Sequence, residues 1–219
     1  TQQKASMHLS EASSVNDEEM KLFKYIEHKD NVALALDICK HIGIERDTAL
    51  RGMYKANPDA GALNCYKVET FDKSITFYNG FAANDPQSTL MIWRKLGNEG
   101  ELIGTKIVLL NTRQDRLDRA KQLAEMVGKE IRDETDLLIL IGQSTDVVES
   151  MSIQYGFEKN KIVNLGWIEA TDVFENILSR TNKIATVVAI GNIGGMGNKV
   201  VEYFSSRHLS KEIMSHSYG

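Results

Sequence analysis

Three arginines and two aspartates lie close together in the segment 113–119, which reads R-Q-D-R-L-D-R. The arginines, Arg113, Arg116 and Arg119, stand where a helix is predicted to begin after an apolar run. Cations at a helix N-terminus oppose the helix dipole, whereas a guanidinium group binds a carboxylate or phosphate through two parallel hydrogen bonds. The segment therefore predicts an anion site, although mutual pairing of arginine and aspartate on a solvated face gives the same pattern.

Two asparagines frame the segment 79–85, N-G-F-A-A-N-D, which follows another apolar run. Asp85 followed by Pro86 is typical of a helix start, because aspartate caps the first free amides and proline has no amide to lose. An aspartate cap repels phosphate, so the side chains of Asn79 and Asn84 are expected to contact any nucleotide. A turn stabilised by the same asparagines is the alternative.

Glycines at positions 191, 194, 195 and 197 form a third segment, between a predicted strand and a predicted helix. Their spacing, G-x-x-G-G-x-G, differs from the G-x-G-x-x-G of dinucleotide-binding folds, and no acidic residue follows on a further strand. Glycine here permits close approach of a ligand to the backbone. Tight packing of the helix on the strand explains the glycines equally well.

Several catalytic signatures are absent from the sequence, namely the P-loop G-x-x-x-x-G-K-[ST], H-E-x-x-H and G-x-S-x-G. The histidines lie outside the predicted loops, and Cys39 and Cys65 have no metal-site spacing. We therefore expect neither a phosphate-transfer site nor a metal site in this chain. The formal charge of −4 gives no general attraction to nucleic acid, and the apolar runs are too short to span a membrane.

Short β-branched runs alternate with helical patterns from residue 73 onward, and these elements must position the three segments. Strands are predicted over 74–78, 106–110, 136–141, 161–165 and 186–190. Several are apolar throughout, as strands covered on both faces are. The pattern predicts an α/β fold: a Rossmann-like, doubly wound, mostly parallel sheet with right-handed crossovers. The loops after the strands, including 142–145, then meet at the carboxyl edge, where such sheets bind ligands.

Residues 1–58 follow a different pattern, since helices are predicted over 32–42 and 46–56 and no strand is evident. The turn residues 57–61, N-P-D-A-G, mark a boundary. We therefore predict a helical segment over 1–58 and a Rossmann-like domain over 59–219. The chain begins without Met, which favours a piece of a longer protein.

Taken together, these segments resemble the C-terminal portion of the Mur ligase superfamily, most closely the ATP-dependent amide ligase subunit of capsular poly-γ-glutamate synthases (the CapB/PgsB type). The matching stretches are D-N-V-A-L-A-L at 30–36, G-I at 43–44, P-D-A-G-A at 58–62, N-G-F-A-A-N-D at 79–85, S-T-L at 88–90, I-W at 92–93, N-T-R-Q-D-R-L-D-R at 111–119 and G-N-I-G-G at 191–195. These stretches occur in the same order as in the family, and such an ordered series is more specific than a match to a single motif.

The resemblance implies an enzyme that binds ATP and Mg²⁺ in a central domain and adds glutamate to poly-γ-glutamate through an acyl phosphate. The helical segment 1–58 is then the tail of that domain, whose P-loop would precede residue 1, so the fragment is expected to be inactive alone. By the same resemblance, the nucleotide-binding residues are Asn31, Asn79 and Asn84, and the glutamate-binding residues are Arg113, Asp115, Arg116, Gly191 and Asn192. No catalytic residue and no metal ligand is assigned within the fragment.

Partners and location also follow from the resemblance. The implied partners are glutamate, the growing poly-γ-glutamate chain and other membrane subunits of the synthase, at the cytoplasmic side of the bacterial cell membrane. Nucleic acid is not among them, and a homo-oligomer stays open. A non-catalytic Rossmann-like module that binds a nucleotide or an amino acid is the alternative, whereas a nicotinamide oxidoreductase is disfavoured because its fingerprint is absent.

Overall fold

A computed structural model of the chain describes residues 8–23, 27–56, 63–83 and 85–208. The chain divides into two compact units, Thr1–Asp59 and Ala60–Gly219. The predicted boundary turn at 57–61 lies outside the described residues. Assignment of 1–58 to a central ATPase domain stays a prediction.

The described part of the N-terminal unit is helical. Its helices are α1 (Asp17–Lys21), α2 (Lys29–His41) and α3 (Arg46–Lys55), and a 3-10 turn covers Ala12–Ser14. Arg46 binds the Glu19 carboxylate through Nε and Nη2, at 2.9 and 2.8 Å, and so joins α3 to α1. The small core consists of Val15, Phe23, Val32, Ala33, Leu36, Ala49 and Leu50. In the residues described here, the prediction of two main helices without a strand is confirmed.

One sheet forms the centre of the C-terminal unit. Its strands, as far as the chain is described, are β1 (Asn64–Glu69), β2 (Ser74–Asn79), β3 (Thr105–Thr112), β4 (Leu137–Gly142), β5 (Ile162–Gly166) and β6 (Ile184–Gly191). They lie in the order β1-β2-β6-β3-β4-β5, and all neighbours are parallel except β1 and β2. The predicted mostly parallel α/β fold and its five strands are confirmed.

Helices connect the parallel strands and follow the last one. They are α4 (Pro86–Asn98), α5 (Leu117–Met126), α6 (Thr145–Gln154), α7 (Ala170–Arg180) and α8 (Met196–Ser206). A π-helical turn, Val127–Ile131, extends α5, and 3-10 turns cover Gln114–Arg116, Arg132–Glu134 and Lys159–Lys161. Helices α7 and α8 pack on the sheet face that carries Phe77, Leu109 and Val187. No helix among the described residues has the length and apolar character needed to cross a membrane.

Strand β1 is the strand that the sequence did not predict. Within it Val68 is buried, whereas the other residues are half-buried or exposed, so its hydrophobic signal is weak. The strand lies antiparallel at the outer edge of β2. There the Lys67 amide donates to Nδ1 of His208 at 2.8 Å, so a side chain from beyond α8 binds one main-chain group of this edge.

The start of α4 is as predicted. Asp85 precedes the helix, and its Oδ1 accepts the Ser88 amide at 2.9 Å, with Pro86 as the first helical residue. The Thr89 hydroxyl donates to the Ala83 carbonyl at 2.9 Å and joins the helix to the preceding loop.

Trp93 connects α4 to the turn that follows α5. Its Nε1 donates to Oε2 of Glu134 at 2.9 Å, Arg94 pairs with the other carboxylate oxygen, and Arg94 Nη2 also donates to the Glu130 carbonyl at 3.1 Å. Partial burial of the carboxylate acts to raise its pKa, but the hydrogen bonds from Trp93 and Arg94 more than offset this effect. The pKa of Glu134 is therefore lower than its ordinary value.

The Glu134→Gln substitution tests this network. Because folding lowers the pKa of Glu134, its contribution to the free energy of unfolding is present above the unfolded pKa of about 4.3 and disappears as the pH falls through the folded pKa. The carboxylate is partly exposed, so we expect a loss of less than about 1 kcal/mol at pH 7. Urea denaturation from pH 7 down to about pH 3 should show the difference between the two proteins vanish.

Glu175→Gln on α7 is the matched control, because the Glu175 carboxylate has no ion pair within the described part of the chain. A Glu134→Gln effect that keeps its size from neutral to acid pH contradicts the network.

Candidate functional site

The loops that carry the predicted site leave the sheet side by side. At the carboxyl ends of the strands, Asn111 of β3 pairs with Gly191 of β6, and Thr112 pairs with Gly142 of β4. The segments 113–119, 142–145 and 191–197 begin at these positions. The fourth loop leaves beside them, since Asn79 of β2 pairs with Ala189 of β6 and a Cβ on Gly197 would lie 3.5 Å from the Phe81 ring. As far as they are described, the structure therefore brings together all four loops that the sequence singled out.

Asn111 joins the loop after β6 to β3. Its Nδ2 donates to the carbonyl of Gly194 at 3.0 Å and also to that of Asn192, while the Asn111 carbonyl accepts the Asn192 amide at 3.1 Å. The side chain is buried, and its Oδ1 has no hydrogen-bond partner in the described structure. The carboxamide donors thus fix the path of 192–194.

The glycines of this loop fall into two pairs with different roles. Gly191 has φ +94° and a Cβ there would lie 2.4 Å from the Asn111 carbonyl oxygen, while a Cβ on Gly197 would lie 2.7 Å from the Asn192 carbonyl oxygen. Close backbone packing explains these two glycines. Gly194 and Gly195 instead face the side chains of other loops.

Arg113 lies against Gly194. A Cβ on that glycine would be 2.7 Å from Nη1 of the guanidinium group. Nε and Nη2 of Arg113 donate to the two carboxylate oxygens of Asp115 at 3.0 and 2.8 Å, and Nε of Arg116 is 4.0 Å from the same carboxylate. Arginine–aspartate pairing is therefore real, and the half-exposed guanidinium of Arg113 also contacts the glycine loop.

The loops after β3 and β4 are tied to each other. The Thr112 hydroxyl donates to the Gln143 carbonyl, the Gln143 amide donates to the Thr112 carbonyl at 3.0 Å, and the Gln114 amide donates to Oε1 of Gln143 at 3.3 Å. Ser144 follows with φ +57°, a left-handed conformation that is uncommon for a residue with a side chain. Such strain is concentrated at binding and catalytic sites.

The predicted nucleotide-binding residues Asn31, Asn79 and Asn84 belong to different parts of the chain, and each is described by itself. Asn79 is fully buried, its Oδ1 accepts the Phe81 amide at 3.3 Å, and its Nδ2 has no partner in the described structure. Asn31 lies in the N-terminal unit, where it donates to Glu27 at 2.8 Å. Asn84 lies outside the described residues. Nucleotide binding by these three asparagines stays a prediction.

Trp167 is a residue of this edge that the sequence reasoning missed. It follows β5, is 54% exposed, and its ring atoms Cη2 and Cζ3 would lie 3.3 and 3.5 Å from a Cβ on Gly195. The prediction of a ligand site used the loops after the other parallel strands and omitted this one. A tryptophan two residues after the end of a predicted strand was the signal available.

Solved structures on which this chain superposes include Mur-type ligases. The chain superposes on a murein peptide ligase (Mpl) from Psychrobacter arcticus with a TM-score of 0.55 and 13% identity, covering 84% of this chain and 38% of that one. It superposes on MurF from Acinetobacter baumannii with a TM-score of 0.54 and 15% identity, covering 83% and 37%. At such identities the likeness concerns the fold alone. The fold is that of the C-terminal portion of the Mur ligase superfamily.

Residues 65–207 match the family described as the poly-gamma-glutamate synthase CapB C-terminal domain, and the chain belongs to this family. It is 32% identical to the PGA synthase CapB of Bacillus subtilis (strain 168) over 194 residues, which are 89% of this chain and 49% of the relative. It is 33% identical to the capsule biosynthesis protein CapB of Bacillus anthracis over 208 residues, 93% and 43%. The chain thus spans about half the length of these curated relatives, and the family resemblance of its sequence is confirmed.

Asn111→Ala tests the tie between β3 and the glycine loop. The substitution leaves the buried carbonyls of Asn192 and Gly194 without their donor, so we expect the free energy of unfolding to fall by about 2 kcal/mol. Amide hydrogen exchange should rise in 191–197, and urea denaturation measures the stability. Asn176→Ala on α7, where the Asn176 Nδ2 donates to the Asp172 carbonyl near the surface, is the control. Equal effects of the two substitutions contradict a special role for Asn111.

Alanine substitutions at the glycines test the division into two pairs. Gly194→Ala meets the far end of the flexible Arg113 side chain, so the guanidinium moves and the fold persists, within about 1 kcal/mol. Gly191→Ala meets backbone at positive φ and should lose at least about 2 kcal/mol. Gly52→Ala in α3, where a Cβ has open space, controls for glycine replacement and should gain about 0.5–1 kcal/mol. Thermal unfolding measures all three, and equal losses at 191 and 194 refute the division.

Proposed function

We propose that this chain is part of an ATP-dependent acid–amino-acid ligase that adds glutamate to poly-γ-glutamate, and that its C-terminal unit binds the incoming glutamate. The observation that carries the proposal is the position of Arg113, whose guanidinium contacts the glycine loop at the carboxyl edge of a Mur ligase fold. Membership in the CapB C-terminal family and the names of the two curated relatives support the same substrate class.

The charges of the loop after β3 match those of an acidic amino acid. Glutamate carries two carboxylates and an ammonium group, and guanidinium forks bind carboxylates in two-point contacts. In the proposal Arg113 and Arg116, both half-exposed or more, bind the carboxylates, and Asp115 between them faces the ammonium group. Fixing the amino acid in this way orients its amino group for attack.

Neither a phosphate-binding loop nor a metal-binding cluster is found in the parts of this chain that the structure describes. The sequence has no P-loop, and no cluster of histidine, cysteine or acidic residues in the described ranges is suited to hold a metal ion. We therefore propose that ATP and Mg²⁺ are bound mainly by a part of the ligase outside this chain, with Asn31, Asn79 and Asn84 contacting the nucleotide, and that ATP activates a carboxylate as an acyl phosphate. The amino group of glutamate then displaces phosphate, and one amide bond forms. Docking on membrane subunits of the synthase belongs to the same proposal.

Arg113→Ala and Arg116→Ala in the complete ligase subunit test the substrate role. Loss of a charged hydrogen bond is worth about 1.5–3 kcal/mol, so we expect kcat/KM for glutamate to fall roughly 10- to 100-fold for Arg113→Ala, with a smaller fall for Arg116→Ala. Steady-state phosphate release with glutamate and ATP measures the effect, and circular dichroism checks the fold.

Arg180→Ala is the matched control, because Arg180 ends α7 at the opposite edge of the sheet. Turnover that is independent of glutamate, or that survives both loop substitutions in folded protein, refutes the proposal. Binding of glutamate without any ATP-dependent turnover in the complete subunit favours a non-catalytic binding module instead.

A further inference from the structure

The indole of Trp167 is exposed at the edge where the candidate site lies. Of the two tryptophans of the sequence, Trp93 is 1% exposed and bonded through Nε1 to Glu134, whereas Trp167 is 54% exposed. Tryptophan is a large apolar side chain that is highly buried on average. Packing within the core therefore explains Trp93 but not the open ring surface of Trp167.

Trp167 and Arg113 contact adjacent residues of one loop. The indole lies against Gly195 and the guanidinium lies against Gly194, whose Cα atoms are about 3.8 Å apart. Asn111 of β3 donates a hydrogen bond to the carbonyl of Gly194, so these two glycines are joined to the sheet. A cationic group and an apolar ring therefore stand beside the same short piece of backbone.

The loop that carries Trp167 is joined to the helix that follows the glycines. Glu169, two residues after the tryptophan, pairs with Lys199 of α8 at 3.7 Å. The glycine loop immediately precedes the same helix. The indole is thus placed by its contact with Gly195 and by an ion pair from its own loop to α8.

We propose that Trp167 is a specificity-determining residue of the glutamate site: its indole covers the methylene groups of the amino acid while Arg113 binds a carboxylate. The inference rests on the proposed function. A ligand with a carboxylate at the end of a short hydrocarbon chain uses both groups, whereas a compact anion uses the guanidinium alone. Contact with the ring removes methylene surface from water and also lowers the local dielectric constant around the ion pair, which strengthens it.

The test compares glutamate with aspartate, which is one methylene shorter. In the complete ligase subunit, kcat/KM is measured for both amino acids, each as D- and L-enantiomer, by ATP-dependent phosphate release. One buried methylene corresponds to about fourfold in affinity, so Trp167→Ala should reduce the preference for glutamate over aspartate by about fourfold or more. Trp167→Phe, which keeps an aromatic face, should retain most of the preference.

Phe71→Ala is the matched control. Phe71 lies in the turn between β1 and β2 and is fully exposed, so its loss removes an exposed aromatic side chain from the opposite edge of the sheet. This variant should leave the glutamate preference of the subunit unchanged.

The outcomes separate this inference from the proposed function. In one outcome, Arg113→Ala impairs glutamate turnover, but Trp167→Ala lowers kcat/KM equally for glutamate and aspartate or changes neither value. The indole then only supports Gly195, and the inference is overturned. If Arg113→Ala has no effect either, the proposed function fails with it.

A second measurement uses fluorescence. Iodide quenches exposed tryptophan, so in the complete ligase subunit the difference in quenching between the parent protein and Trp167→Phe reports on the exposed Trp167 and not on the buried Trp93. Saturating glutamate with ATP should protect the indole from quenching, whereas glycine, which has no side-chain methylene, should not. Unchanged quenching at saturating glutamate contradicts the inference.

Discussion

The carboxamide of Asn111 gives both of its N–H groups to carbonyls of the loop between β6 and α8, and no other side chain donates to these carbonyls in the described part of the protein. Buried carbonyls need partners, and a loop that crosses the end of a parallel sheet has no ladder to supply them. Because this loop is held close to β3, Gly194 and Gly195 come within reach of Arg113 and Trp167. The geometry of the candidate site follows from that one buried side chain.

The carboxamide oxygen of Asn111, unlike its nitrogen, is in an unfavourable environment. Oδ1 of Asn111 accepts no hydrogen bond in the described residues, and a Cβ on Gly142 would lie 2.7 Å from it. An unpaired buried acceptor is unfavourable by about 1–3 kcal/mol, and Ser144 nearby adopts a left-handed conformation. Both features lower the stability of the folded protein. They are consistent with an edge whose backbone is fixed for binding.

The mostly parallel sheet and the convergence of its loops could be predicted because five strands are apolar runs separated by helical patterns, whereas the order of the strands could not. Strand β1 could not, since only Val68 is buried in it. The role of Asn111 depends on its pairing with Gly191, eighty positions away, and no local pattern encodes that register. The arginine segment allowed two explanations from the sequence. In the structure Arg113 pairs with Asp115 through one edge of its guanidinium and contacts Gly194 through another, and the sequence alone cannot distinguish these edges.

His208 has a consequence for self-association. An unpaired outer strand is a template on which a second molecule adds its own strand, and it is a common route to dimers and aggregates. Here Nδ1 of the imidazole already accepts a hydrogen bond from the Lys67 amide, and the ring packs edge-on against Tyr66 at 5.9 Å between centroids. A strand from a second molecule would have to displace His208 before it could pair with β1. A residue 141 positions after Lys67 therefore protects this edge of the sheet.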